Sequence, residues 1–285
     1  ISMATRSFKN KKVGLDCSNG SASAIAKSVF DALGAKTYVI HNEPDGTNIN
    51  RGCGSTHIEV LQQFVLEKGL DVGFAFDGDA DRLLAVDENG NQVDGDVIMA
   101  IVGNHMKEKG TLKDNTIVAT VMSNLGFFRM GKENGIHIEQ TTVGDRYVME
   151  RMLEIGANLG GEQSGHIIFL DENTTGDGLL SALHLLQVMV ETGKALSELA
   201  TIMTVYPQAL VGAKVPNHKK NSYMEYTEIA EAIEHVNAKF ADEGRVLIRP
   251  SGTEPLVRVM IEGKDQRLIE QEARELAELI QNVML

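Results

Sequence analysis

Short apolar runs alternate with helical patterns along the first two-thirds of the chain, and this alternation limits the fold more than any other feature. Val13-Gly14-Leu15-Asp16-Cys17 reads as a buried strand ending in a small-residue turn. Ser21 to Leu33 reads as a helix rich in small residues, and Lys36 to Ile40 as a second strand. Ile58 to Lys68 has helical spacing, and Val72 to Phe76 is a third strand. Strand–helix–strand repetition implies a parallel sheet with right-handed crossovers. Leu83 to Val86, the turn Asp87-Glu88-Asn89-Gly90, and Asn91-Gln92-Val93 then read as a hairpin.

The pattern restarts with helices at Val97 to Lys107, Leu125 to Glu133 and Arg146 to Glu154, and strands at Thr116 to Val121 and Ile136 to Gln140. A long apolar helix follows at Leu179 to Val190. The tail differs, with strands at Leu210 to Val215, Arg245 to Arg249 and Leu256 to Glu262. Its helices are Tyr223 to Phe240 and the charged, amphipathic Gln266 to Val283. The expected fold class is α/β: two parallel-sheet α/β domains, at 1–93 and 94–205, followed by a small α+β C-terminal domain at 206–285. Tyr206-Pro207 is the expected linker.

Composition narrows the function. At 285 residues, 42% hydrophobic and 24% charged, the chain is neither disordered nor fibrous. No apolar run approaches the roughly 20 residues of a membrane-spanning helix, and the first dozen residues show no signal-peptide core. Lys plus Arg number 27 against 40 Asp plus Glu, giving a net charge of −13. That argues against nucleic-acid or anionic-membrane partners, though not against a small anion in a local positive pocket. Trp is absent, so base-stacking platforms are poorly supplied. Cys17 and Cys53 form no CxxC pair. Neither a zinc site nor a disulfide framework is expected, and a reducing cytoplasm fits best.

Three loops carry chemistry. Asp77-Gly78-Asp79-Ala80-Asp81-Arg82 follows the strand Val72 to Phe76. Carboxylates at i, i+2 and i+4, separated by small residues, can converge on a hard cation such as Mg²⁺. The end of a strand is also where open α/β sheets place ligands. A polar turn is the plain alternative. An EF-hand is a second, with Glu88 at loop position 12, but Arg82 stands where position 6 needs glycine.

Gly160-Gly161-Glu162-Gln163-Ser164-Gly165-His166 precedes the apolar run Ile167 to Leu170. Its polar groups can grip sugar hydroxyls, or it is an ordinary tight turn. Arg249-Pro250-Ser251-Gly252-Thr253-Glu254-Pro255, with Arg258 beyond it, combines hydroxyls, backbone N–H groups and two guanidinium groups. That is an anion nest suited to phosphate, or else a hairpin loop. Two lesser signals have structural readings. The Asp16 to Ser21 segment reads as a turn and cap, and Ser55 or Thr56 as the cap of the following helix rather than a nucleophile beside His57.

The order of these loops, metal then sugar then phosphate, resembles the α-D-phosphohexomutase superfamily over essentially the whole chain. Gly52-Cys53-Gly54-Ser55-Thr56-His57, Thr142 to Val148, Gln163 in the sugar loop and Asn173 to Gly178 look closest to its amino-sugar branch. The resemblance implies an isomerase that interconverts glucosamine 6-phosphate and glucosamine 1-phosphate through a phosphoserine and a 1,6-bisphosphate, supplying amino sugar for the cell wall. Mg²⁺ would sit on Asp77, Asp79 and Asp81. Arg82 would contact the transferring phosphoryl group and His166 would act as acid or base. Glu162 and Ser164 would hold the sugar, and Arg249, Ser251, Gly252, Thr253 and Arg258 the other phosphate. Phosphomannomutase or phosphoglucomutase activity, or sugar-phosphate binding without catalysis, remain alternatives. The superfamily has four domains, and the resemblance covers the last three. The first carries the reactive serine in a Thr-Ala-Ser-His-Asn motif, which does not occur here. The expected partners are therefore a sugar phosphate, its bisphosphate intermediate and that amino-terminal domain, and the isolated chain is expected to be inactive.

Overall fold

The structure, a computed structural model, describes residues 7–241 and 243–285. Strand β1 (Lys12–Asp16), helix α1 (Ala26–Ala32), strand β2 (Lys36–Ile40), helix α2 (Ile58–Lys68) and strand β3 (Val72–Phe76) follow in turn. Strands β4 (Leu83–Asp87) and β5 (Gln92–Val93) complete a sheet of order β2-β1-β3-β4-β5. β1 lies parallel to β2 and β3, so the carboxyl ends of these three strands share one edge of the sheet. β4 runs antiparallel to β3.

Helix α3 (Gly95–Glu108), strand β6 (Thr116–Thr120), helix α4 (Leu125–Glu133), strand β7 (His137–Thr141) and helix α5 (Asp145–Ile155) come next. Strands β8 (Leu159–Gly161) and β9 (Ile167–Phe169) and helices α6 (Gly178–Thr192) and α7 (Leu196–Ala200) follow. The second sheet has the order β7-β6-β8-β9, parallel except for the β8–β9 pair. Each of these two sheets is thus parallel at its centre and antiparallel at one edge.

Strand β10 (Gln208–Lys214), helix α8 (Thr227–Phe240), strands β11 (Arg245–Pro250) and β12 (Leu256–Glu262) and helix α9 (Gln266–Met284) form the tail. Its sheet is antiparallel, in the order β10-β12-β11. By compactness the chain divides into two units: one running to Ser123 and resuming over Phe127–Thr204, the other comprising Asn124–Gly126 and Val205–Leu285. The first two sheets share one buried cluster, which reaches from Phe8 to Met203 and includes the stacked rings of Phe30 and Phe74.

Local chemistry explains the boundaries. Gly69, at φ 57°, ends α2 in the left-handed conformation that glycine adopts at little cost. Asp94 and Asp177 cap α3 and α6 by accepting from Val97 N–H and Leu180 N–H. In α9, Ile269, Ala273, Leu276, Ala277, Ile280 and Met284 fall on one buried stripe. Each larger side chain on it contributes about 1.5–3 kcal/mol through burial. Asp265 accepts from Arg267 N–H and Leu268 N–H at its start, a cap worth about 1 kcal/mol.

Three local expectations change. The helix expected from Ser21 to Leu33 breaks at Ile25 into a 3-10 turn (Ser21–Ala24) and α1. The one expected from Tyr223 likewise splits, into a 3-10 turn (Lys220–Glu225) and α8. Neither Ser55 nor Thr56 caps α2. Both lie inside a 3-10 turn, Gly54–His57, and His57 takes the cap position without a side-chain hydrogen bond.

Candidate functional site

Asp77 leaves the end of β3, and the loop to Arg82 turns directly into antiparallel β4. Asp77 Oδ1 accepts from Arg82 N–H at 3.1 Å, and Ala80 N–H donates to the Asp77 carbonyl at 3.1 Å. Ala80 adopts φ 61°, an uncommon conformation for a residue with a Cβ. The tight turn brings one carboxylate oxygen each from Asp77, Asp79 and Asp81 within 4.8 Å of one another.

Burial, followed by the hydrogen bond with Asp81, pushes the Asp77 carboxyl up to about 7. Burial also works to raise Asp81, but its bonds with Asp77 and His166 outweigh that and hold it below the usual carboxylate range. One proton is therefore retained between two crowded acids near neutrality. Asp81 Oδ1 is buried without a hydrogen-bond partner. Three oxygen donors, an orphaned oxygen and mutual repulsion fit a hard divalent cation. A cleft of about 440 Å³ borders the loop, lined by Ser21, Ile25, Asp79, Asp81, Thr175 and Asp177 among others.

The glycine-rich loop between β8 and β9 packs against this turn. Arg82 and His166 form an isolated antiparallel bridge, and Leu83 N–H donates to the Gly165 carbonyl at 3.0 Å. Gly165 sits at φ 96°, and a Cβ there would lie 2.1 Å from the Leu83 carbonyl oxygen, so only glycine allows this approach. His166 is 3% exposed. Its Nε2 accepts from Gly176 N–H at 3.1 Å, which leaves Nδ1 to carry the ring hydrogen toward Asp81 Oδ2 at 2.9 Å. A ring with both nitrogens engaged orients a carboxylate. Glu162 Oε1 accepts from Gly144 N–H at 3.1 Å, and Gln163 Nε2 donates to Asp94 Oδ2 at 3.2 Å. Ser164 and Arg82 are exposed.

In the C-terminal unit, Arg249 of β11 stands directly opposite Arg258 of β12. Like charges across a ladder repel. Burial, and then the Arg258 charge, push the Arg249 guanidinium below its usual value. Arg258 also pairs with Glu254 at 2.5 Å. Ser251 is buried, and its Oγ accepts from Glu254 N–H at 3.2 Å. Gly252 and Thr253 are exposed at the tip, and a Cβ on Gly252 would meet nothing within 4 Å. Lys220 Nζ reaches the Gly252 carbonyl at 3.5 Å, a third cation that the sequence reading missed.

The structure thus brings together Asp77, Asp79, Asp81, Arg82, Glu162, Ser164 and His166 in one unit, and Arg249, Ser251, Gly252, Thr253 and Arg258 in the other. The reading also missed Gly176, which fixes the His166 tautomer. Its only signal was the glycine in the Asn173 to Gly178 run.

Models of the phosphoglucomutase/phosphomannomutase family match the chain three times. Alpha/beta/alpha domain II matches residues 1–90, alpha/beta/alpha domain III residues 94–206, and the C-terminal domain residues 210–279. The chain is 62% identical over 274 residues to a phosphoglucosamine mutase of Acetivibrio thermocellus, covering 96% of the chain and 61% of that relative. It is 59% identical over 277 residues to one of Ruminiclostridium cellulolyticum, covering 97% and 62%. The chain therefore spans about three-fifths of the length of the curated relatives it matches.

Among solved structures, a phosphoglucomutase/phosphomannomutase family protein of Burkholderia thailandensis superposes with a TM-score of 0.79 at 24% identity, covering 99% of this chain and 62% of that one. An N-acetylphosphoglucosamine mutase of Aspergillus fumigatus, solved with GlcNAc-6P and magnesium, gives 0.79 at 18% identity, covering 97% and 62%. Both share the fold. With matches in register from the first α/β unit through the C-terminal unit, the chain belongs to the phosphoglucomutase/phosphomannomutase family of phosphohexomutases.

Proposed function

We propose that the chain carries the metal, sugar and phosphate sites of a phosphoglucosamine mutase that interconverts glucosamine 6-phosphate and glucosamine 1-phosphate. The convergence of Asp77, Asp79 and Asp81 at the end of a parallel strand carries this reading. The identity to phosphoglucosamine mutases supports the amino sugar over glucose or mannose. The proposed functional division is 1–93 for the metal, 94–205 for the sugar and 206–285 for the phosphate. No helix among the described residues is long and apolar enough to cross a membrane, in keeping with a cytoplasmic sugar-phosphate enzyme.

Asp77, Asp79 and Asp81 would hold Mg²⁺, which when bound supplies positive charge against a transferring phosphoryl group. Arg82, exposed beside the triad, supplies a guanidinium to the same phosphoryl oxygens. His166 keeps Asp81 aimed through Nδ1–H, and its burial with both nitrogens engaged supports positioning rather than proton transfer to a sugar. Glu162 and Ser164 receive sugar hydroxyls, with Glu162 steadied by Gly144 N–H. Arg249 and Arg258, with Ser251 and the Gly252-Thr253 tip, hold the phosphate that is not reacting. An anion between two opposed guanidinium groups relieves their repulsion.

The serine that gives and takes the phosphoryl group belongs to an amino-terminal domain bearing the Thr-Ala-Ser-His-Asn motif, which this sequence does not contain. The 1,6-bisphosphate is the intermediate that must turn over between the two half-reactions. Calorimetric titration of Mg²⁺ into the wild-type chain and Asp79→Ala tests the metal assignment. Weak one-site binding that is lost in the variant is expected, and equal binding by both proteins would sink it.

A further inference from the structure

We propose that Asp16, His41 and Cys53 form a second cation site, distinct from the aspartate triad and built for a borderline-soft metal such as Zn²⁺. Cys17 and Cys53 form no CxxC pair, so no zinc site is expected from the cysteine spacing. The fold brings Asp16, His41 and Cys53 together. One ligand atom of each lies within 4.8 Å of the other two. Asp16 and Cys53 are fully buried.

The donors are arranged for a metal better than for one another. His41 Nδ1 lies 3.1 Å from Asp16 Oδ1, but the approach is not aligned for a hydrogen bond. That nitrogen is buried without a hydrogen-bond partner, although the side chain as a whole is 30% exposed. Asp16 is held in place from behind, with Oδ1 accepting from Ser18 N–H and Oδ2 from Gly54 N–H, both at 3.0 Å. A fixed carboxylate with further lone pairs, an unpartnered imidazole nitrogen and a buried sulfur are the donor types that Zn²⁺ takes. Three protein ligands leave a fourth position open.

The donor set also sorts cations. Mg²⁺ demands oxygen ligands and gives up its water reluctantly, so it suits the aspartate triad and not a thiolate–imidazole pair. Without a metal, burial and then the Asp16 charge keep the Cys53 thiol protonated, so metal entry expels a proton.

Placement gives the site its consequence. Asp16 ends β1, His41 follows β2 and Asp77 follows β3, on the shared carboxyl edge of three parallel strands. His41 and Cys53 stand at the two ends of the segment 41–53, which has no regular structure. A Cβ on Gly78 would lie 2.7 Å from both Asn50 Nδ2 and Ile49 Cδ1, so this segment abuts the aspartate loop. A metal at Asp16, His41 and Cys53 ties both ends of the segment to the sheet and steadies the wall of the Mg²⁺ site.

The test is optical titration of the chain with Co²⁺, a Zn²⁺ surrogate, in excess Mg²⁺ so that the oxygen site is filled. Wild type, Cys17→Ser and Asp79→Ala should each develop a near-ultraviolet thiolate-to-cobalt band that saturates at one equivalent, and Zn²⁺ should bleach it. Cys53→Ser should lose the band, and His41→Ala should weaken cobalt binding about tenfold or more. Far-ultraviolet circular dichroism checks that the variants fold. Should Cys53→Ser fail that check, the partly exposed His41→Ala decides. No thiolate band in wild type, a band surviving in folded Cys53→Ser, or cobalt affinity unchanged in His41→Ala overturns the proposal.

Discussion

Raising the pH from about 6 to about 8 should strengthen Mg²⁺ binding to the aspartate triad about tenfold. Without metal, Asp77 titrates at about 7 because it is buried and hydrogen-bonded to Asp81. At about pH 6 a group with that value is about nine-tenths protonated, and at about pH 8 about one-tenth. The cation must displace that proton, so its apparent affinity follows the deprotonated fraction. The sign for stability runs the other way. Asp77 holds its proton more tightly folded than unfolded, so its contribution to stability is full below about pH 4 and is lost as pH rises through about 7. Added Mg²⁺ should restore stability on the alkaline side. Calorimetry in two buffers of different ionisation enthalpy counts the protons released, and nearly one per Mg²⁺ is expected at about pH 6. Affinity that stays flat between these pH values, with no proton release, would show that Asp77 and Asp81 do not share a proton.

Two substitutions follow from the loop geometry. Arg249→Ala should weaken glucosamine 6-phosphate binding about tenfold to a hundredfold, since a charge-assisted phosphate contact is worth about 1.5–3 kcal/mol; unchanged affinity by calorimetry with an unchanged melting temperature would remove the phosphate role. Gly165→Ala places a Cβ 2.1 Å from the Leu83 carbonyl at φ 96° and strains the 3.0 Å Leu83–Gly165 bond. Left-handed strain of about 1–3 kcal/mol plus a lost hydrogen bond of about 0.5–1.5 kcal/mol should lower the melting temperature by about 3–18 °C. A fall of under about 1 °C would show that the two loops are not tightly joined.

Helix α2 and strands β3 and β12 fall at the residues expected from hydrophobic periodicity, because each presents one uninterrupted apolar pattern between clear breakers. Strand β8 was missed because Leu159-Gly160-Gly161 offers only one side chain to any pattern. Close backbone approach explains the two glycines, since a Cβ on Gly161 would lie 2.5 Å from the His166 carbonyl oxygen. The antiparallel edge was harder to see, because β3 and β4 are joined by the chemical loop itself rather than by a recognisable turn. The three-aspartate spacing was legible because i, i+2 and i+4 converge locally. What His166 touches was not, since Asp81 and Gly176 reach it from two other loops. Asp16, His41 and Cys53 were invisible as a group for the same reason: the ends of β1 and β2 and the turn ahead of α2 bring them together from separate stretches of sequence.

On the proposed function, these 285 residues hold the metal, sugar and phosphate sites of a mutase but not its phosphoryl-carrying serine. Glucosamine 1-phosphate formation measures this directly, with glucosamine 6-phosphate, Mg²⁺ and the 1,6-bisphosphate primer supplied. The chain alone should bind the substrate without turning it over. Adding the part of the Acetivibrio thermocellus relative that this chain does not match should produce turnover that Asp79→Ala abolishes. Robust turnover by the chain alone would place the nucleophile within these residues and overturn the proposed division of roles.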